Sequence, residues 1–223
     1  KKPGGMGGRL NLVETYISNV RSSAERTMSQ HLLATTQANA TDINPIPVLI
    51  PTDGVGTVGN INRTTYTFWK TKFYDTITAS TGLLDKMRTL LNDVSRGGGN
   101  KGARPGLIVT TQTVFEAYMD LAEQAHVINT DASSGQKRIA DLGFPVANYQ
   151  GIPITWDENC PSGRMYFLNK DGLHFRVLGK GWKLHPFQST YSNGVAARVA
   201  VLEMFCQVTV SESRILGQLS TIT

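Results

Sequence analysis

Gly54-Val55-Gly56-Thr57-Val58-Gly59 has the spacing G-x-G-x-x-G. In a dinucleotide site such glycines permit a tight turn and let a pyrophosphate approach a helix N-terminus. That chemistry needs a strand before the loop and a helix after it. Here Pro47 and Pro51 interrupt the preceding apolar run, and residues 60–69 lack helical periodicity. A flexible glycine loop is the simpler reading, with a nucleotide-binding enzyme as the alternative. Cys160 sits in Glu158-Asn159-Cys160-Pro161, with His174 and His185 downstream, so a thiol nucleophile and a base can be drawn together. Pro161-Ser162-Gly163 reads as a turn rather than a poised helix start, and no third group orients the pair. Cys206 falls within an apolar alternation and reads as a small core residue.

Metal and acid–base chemistry fare no better. His31, His126, His174 and His185 show neither i,i+4 nor H-x-H pairing. Asp157-Glu158 lies in a loop without an evident partner for general acid–base work. Lys101 and Arg104 flank a glycine-rich stretch, and Lys170, Arg176, Lys180 and Lys183 are interleaved with Trp182 and Phe187. These could touch phosphates, but a solvated or subunit-facing sheet is the commoner use of such a pattern. No catalytic residue, cofactor site or metal ligand is assigned.

The elements that would carry these residues are bounded by composition. The chain has 223 residues, 40% hydrophobic and 17% charged, with a net charge of +5. That is enough for one large or two small domains with a real core. Two cysteines cannot build a disulfide framework, which excludes a secreted mini-scaffold. No run of about 18 apolar residues is present for a membrane-spanning helix. The chain opens at Lys1 without a signal-peptide pattern, and reads as starting at an interior point of a longer chain.

Residues 3–8, Pro-Gly-Gly-Met-Gly-Gly, read as a hinge. A long helix over about residues 10–33 follows, with Val13, Tyr16, Ile17, Val20, Ala24, Met28 and Leu32 in one stripe. Its length would be about 36 Å. Three prolines make residues 35–63 loop or edge strand, and alternation in residues 64–74 fits a strand. Ser80 is the expected N-cap of a helix through Leu83, Met87, Leu90 and Val94 that ends at Gly97-Gly98-Gly99. A strand at Leu107-Ile108-Val109 leads to a second helix capped by Thr113. Short strands are expected around Val146, Ile152 and Ile154, and at Met165-Tyr166-Phe167-Leu168. The last third is β. Leu173, Phe175 and Val177 alternate, Thr190-Tyr191-Ser192-Asn193-Gly194 is a turn signal, and one strand is expected over residues 195–210. Ala200, Leu202, Met204, Cys206, Val208 and Val210 form its apolar face. The fold class is α+β, an α/β unit inserted between a long helix and long strands.

Three stretches carry a resemblance. They are Ile61-Asn62-Arg63-Thr64-Thr65-Tyr66-Thr67-Phe68-Trp69, then Pro105-Gly106-Leu107-Ile108-Val109, then Tyr149-Gln150-Gly151-Ile152-Pro153-Ile154 leading through Cys160-Pro161 to Met165-Tyr166-Phe167-Leu168-Asn169 and Leu173-His174-Phe175-Arg176. In this order the chain resembles the major capsid proteins of tailed bacteriophages that share the HK97-type fold. The resemblance implies a peripheral domain from residues 1–74 and 171–210, with the long helix as its spine. It implies a compact axial domain from residues 75–170, joined by residues 211–223. Tyr191, Ser192, Asn193 and Gly194 become the expected contact between neighbouring capsomers. The implied function is structural: hexamers and pentamers of this chain closing into an icosahedral shell around double-stranded DNA held without sequence readout. Scaffold, portal and decoration proteins are further implied partners. The implied location is the virion, after assembly in the bacterial host cytoplasm, with no membrane. The family's N-terminal arm and extended hairpin have no counterpart here. An encapsulin-like nanocompartment shell is the alternative within the same fold.

Overall fold

The computed structural model describes residues 6–39, 41–95, 104–127, 147–179, 181–192 and 195–223. Helix α1, Met6–Leu32, takes up the expected apolar stripe and begins earlier than the hinge reading allowed. Met6, Gly7 and Gly8 are helical because glycine weakens a helix by roughly 1 kcal/mol per residue without forbidding it. The prolines of the next stretch do not exclude helix either. Pro45 caps a single turn, α2 (Ile46–Leu49), in which Pro47 occupies the first turn, where its missing N–H costs nothing.

Strands β1 (Thr57–Val58) and β2 (Ile61–Asn62) form a minimal hairpin. Its turn is Gly59-Asn60, both at positive φ (60° and 64°), the geometry a two-residue hairpin loop requires. The strand expected over residues 64–74 is a 3-10 turn, Thr67–Trp69, followed by β3, Lys72–Tyr74. A local bond overrides the alternation. Asn62 Oδ1 accepts from the backbone N–H of Thr64 at 2.8 Å, and Tyr66 N–H donates to Asn62 O at 2.9 Å, which curls the chain.

A six-stranded mixed sheet follows, built from β3, β4 (Leu107–Thr110), β5 (Ala147–Tyr149), β6 (Ile152–Trp156), β7 (Met165–Leu168) and the last strand of the chain, Gly217–Leu219. That last strand lies parallel to β3 and antiparallel to β7, between them. One face packs α3 (Leu83–Ser95) and α4 (Gln112–Val127). Leu83, Met87, Leu90 and Val94 of α3 meet Ile108, Ile154, Met165 and Phe167 there, all fully buried. Gly217 lies against α3, where an added Cβ would come within 2.8 Å of Leu90 Cδ1. The helix caps differ from expectation by two residues. Gly82, not Ser80, gives its carbonyl to Lys86 N–H, and Thr111, not Thr113, gives its carbonyl to Phe115 N–H. The expected stop at Gly97-Gly98-Gly99 and the strand residue Val146 lie outside the described residues.

The other sheet face is covered by a second core. Leu33, Ile46, Leu49 and Ile50 pack with Cys160, Tyr166, Val208 and Leu216. Val208 comes from a long antiparallel ribbon. Its strands are β8 (Leu173–Val177), β9 (Lys183–Leu184), β10 (Gln188–Ser192), β11 (Val195–Val199), β12 (Leu202–Glu203) and β13 (Cys206–Val210), so the final strand of the sheet is β14. The single strand expected over residues 195–210 is thus three. Leu173 pairs with Val210 and Val177 with Cys206, then Lys183 pairs with Glu203, then Gln188 with Val199. The register jumps twice because the first arm carries extra residues. Gly179 and Gly181, at φ 78° and 89°, stand at the first jump, and Pro186 lies at the second.

Burial along the second ribbon arm follows the expected face and is deepest at its base. Val208 is 2% exposed and Ala200, Leu202, Met204, Cys206 and Val210 are half-buried, while Phe205 on the other face is 60% exposed. Val208→Asp therefore places an unpaired carboxylate in a core and should cost about 3 kcal/mol or more, abolishing a cooperative melt. Phe205→Asp should shift the melt by no more than a surface change, about 0.5 kcal/mol. Circular dichroism melts of the two variants check the register, and equal behaviour would refute it.

Candidate functional site

The groups that could have done chemistry are placed in structural roles. Gly54 is buried at φ 64°, and a Cβ there would come within 2.8 Å of Lys70 Cε and 3.1 Å of the Phe73 ring. Gly56 offers its carbonyl to Arg63 N–H at 3.0 Å, and Gly59 turns the hairpin. No helix N-terminus follows, so the nucleotide reading of residues 54–59 fails on geometry. Cys160 is 7% exposed, and burial, aided by Asp157, pushes its thiol up to about 12. A thiol so high carries almost no thiolate at neutral pH and is a poor nucleophile. Burial also raises the Cys206 thiol.

A serine–histidine pair that the sequence reading missed does occur. His174 Nε2 lies 3.0 Å from Ser211 Oγ. Ser211 gives its hydroxyl proton to the Asp171 carbonyl at 2.6 Å, so the hydroxyl is not poised to donate to the imidazole. The pair closes the base of the ribbon. Among the described residues no three His, Cys, Asp or Glu side chains gather as a metal-ligand group.

The signature stretch has a physical meaning that its letters do not disclose. Asn62 makes the turn described above. Arg63 is 1% exposed, and its Nη2 donates to Leu49 O at 2.5 Å and to Ser213 Oγ at 2.8 Å. Burial lowers its pKa and Asp53 works against that, yet a guanidinium stays charged. It joins α2, the β1–β2 hairpin and the 3-10 turn Ser213–Ile215 that feeds β14. Tyr66 and Phe68, by contrast, stand in solvent as an edge-to-face pair with ring centroids 5.9 Å apart.

An uncovered apolar surface belongs to α1 and the ribbon. Leu12, Val13, Tyr16 and Val20 of α1 are all exposed, Tyr16 at 61%. The C-terminal half of the stripe is better sheltered, where Ala24, Met28 and Leu32 are half-buried, as is Ile17 farther up, and lead to buried Leu33. Facing the open half lies the ribbon, with Leu184, Phe187 and Leu202 across an apolar groove of about 250 Å³. Leu178, Val199, Val201 and Phe205 are exposed as well. The expected contact residues lie at the far end of this ribbon. Tyr191 pairs with Ala196 and Ser192 with Val195 at its tip, while Asn193 and Gly194 lie outside the described residues.

Two measurements check these assignments. Arg63→Ala leaves a buried carbonyl and hydroxyl without their donor and should destabilise by about 2–4 kcal/mol in urea unfolding, whereas a change under about 0.5 kcal/mol would remove Arg63 from its role. At pH 8 the native chain should label at Cys160 with a disulfide reagent at least tenfold more slowly than the unfolded chain.

No protein-family model matches the chain, and no curated protein matches it. Solved structures do. The cyanophage A-1(L) capsid protein aligns with 95% of this chain and 69% of its own, at TM-score 0.62 and 19% identity. The encapsulin of the holo-SrpI complex from Synechococcus elongatus aligns with 95% of this chain and 65% of its own, at TM-score 0.59 and 12% identity. The capsid protein of Myoviridae phage XM1 aligns with 96% and 66%, at TM-score 0.53 and 12% identity. The chain thus spans about two thirds of the length of these proteins. Helix α1, the ribbon and the sheet unit between them in sequence are together the HK97-type fold of capsid and encapsulin shell proteins.

Proposed function

We propose that this chain is the structural subunit of a virus capsid, self-associating into hexamers and pentamers that close into an icosahedral shell around double-stranded DNA. The observation that carries the proposal is the apolar surface that α1 and the ribbon leave uncovered. A monomeric soluble protein rarely exposes a continuous apolar patch beyond a few hundred Å². A stable interface covers roughly 800 Å² on each partner, and the exposed apolar residues of α1 and the ribbon are where such an interface would lie. Many copies of one chain can satisfy this by closed symmetry, without a further protein.

In this reading α1, the signature loop and the ribbon form the peripheral domain, residues 1–74 and 171–210. The other five strands of the six-stranded sheet, β3 lying at the boundary, form the axial domain with α3 and α4, residues 75–170 with 211–223. Tyr191 and Ser192 at the ribbon end, with Asn193 and Gly194 that follow them in sequence, would meet the next capsomer. The fold similarity supports a shell subunit, and the net charge of +5 suits an inner face beside DNA held through its phosphates. Scaffold, portal and decoration proteins would be met at other faces of the shell. An encapsulin-type shell has the same fold and comparable similarity, and differs in enclosing protein cargo rather than DNA.

Sedimentation velocity at 260 and 280 nm, on particles from the natural source, tests the reading. A megadalton particle with a nucleic-acid spectrum is expected. A megadalton particle with a protein spectrum would favour the encapsulin-type shell, and a small oligomer of the intact chain would overturn both. Tyr16→Asp with Phe187→Asp should leave a folded chain and suppress particles at least tenfold, because both residues are exposed in the single chain and lie at the groove.

A further inference from the structure

The middle block of the ribbon is held by little backbone. Lys183 pairs with Glu203, Leu184 with Leu202, and His185 N–H donates to Val201 O at 2.8 Å. A register jump bounds the block on each side, so the ladders beyond it do not enforce its alignment. Its two faces differ. Leu184 and Leu202 look toward α1 across the groove, where Arg198 is the charged residue at the lining. On the face away from α1, Glu203 Oε1 lies 2.6 Å from His185 Nε2 and 3.5 Å from Lys183 Nζ. Farther along the ribbon Arg176 donates through Nε to Thr209 Oγ1 and is engaged there. Among the described residues, Lys183 and His185 are the charged groups acting on Glu203.

We propose that Lys183, Glu203 and His185 form a pH-responsive clasp that pins the middle register of the ribbon, closed when the imidazole is protonated and loosened when it is neutral. One carboxylate then faces two cations across a block that has few other restraints. The side chains of His185 and Glu203 are about two-thirds covered, so solvent screening weakens the clasp without abolishing it. The sign follows from the two groups. Glu203 is held below its ordinary range, first by the His185 hydrogen bond and further by both positive charges, so its anion persists into acid. A protonated imidazole sets a second positive charge 2.6 Å from that anion, and a neutral one does not. The clasp is complete where anion and imidazolium coexist. It loses a cation when the imidazole gives up its proton, and loses the anion as pH falls through the lowered carboxylate range. The glycine-bearing jump beside it gives the ribbon a place to bend when the clasp loosens.

Amide hydrogen exchange on the full chain at pH 5.5 and pH 8, corrected for intrinsic rates, tests this. Residues 183–185 and 201–203 should be about two- to fivefold better protected at pH 5.5, with no such change in the strands β4 and β7. His185→Gln and Glu203→Gln, each checked as folded by circular dichroism, should flatten that dependence, while His174→Gln should keep it. Equal protection at the two pH values in the unaltered chain, or an unchanged dependence in both His185→Gln and Glu203→Gln, would overturn the clasp.

Discussion

One buried guanidinium holds together parts of the chain that are far apart in sequence. Arg63 binds the carbonyl that ends α2 and the hydroxyl of Ser213, and its own N–H is tied to Gly56. Both of these side-chain bonds run through Nη2, while Nε and Nη1 are buried without a hydrogen-bond partner among the described residues. The consequence runs outward. The turn at Ser213 sets the entry of β14, and β14 joins the edge strand β3 to β7. The α3 core and the α1–α2 core pack on the two faces of this one sheet.

Against that fixed centre, α1 and the ribbon extend with their apolar sides open. The contrast within one helix is instructive. Leu33, just past its end, is 5% exposed, while Tyr16, at the same stripe, is 61% exposed. A single chain gains nothing from an apolar stripe in water, and in the proposed shell other copies would cover it. The ribbon has the same character, with its base packed through Val208 and its outer length open on both faces. Rigid core and uncovered extensions are what a shell subunit needs, since its contacts must be accurate and numerous without forming a pocket.

The reactive side chains are consistent with that role. Cys160 fills the second core, Ser211 closes the ribbon base on Asp171, and the glycines of residues 54–59 make a hairpin and a close approach to Phe73. Each owes its position to packing or to a backbone hydrogen bond. His185 is the exception, since it stands against a carboxylate where the ladder is weakest.

Periodicity made α1, α3 and α4 legible, because a stripe every three or four residues has no other use. The buried strands Leu107–Thr110 and Met165–Leu168 were legible as short apolar runs, and the order of the motif stretches carried the fold family. Three things lay beyond the sequence. Alternation over residues 64–70 was overruled by the Asn62 side chain, a bond that pattern counting cannot weigh. The run over residues 195–210 looked continuous because register depends on the partner strand, whose extra residues break it twice. Arg63 read as one basic residue in a motif, and only the tertiary structure placed it among backbone acceptors from residues 49 and 213. Local propensity is written in neighbouring residues, whereas burial and register are settled by segments that meet only after the chain has folded.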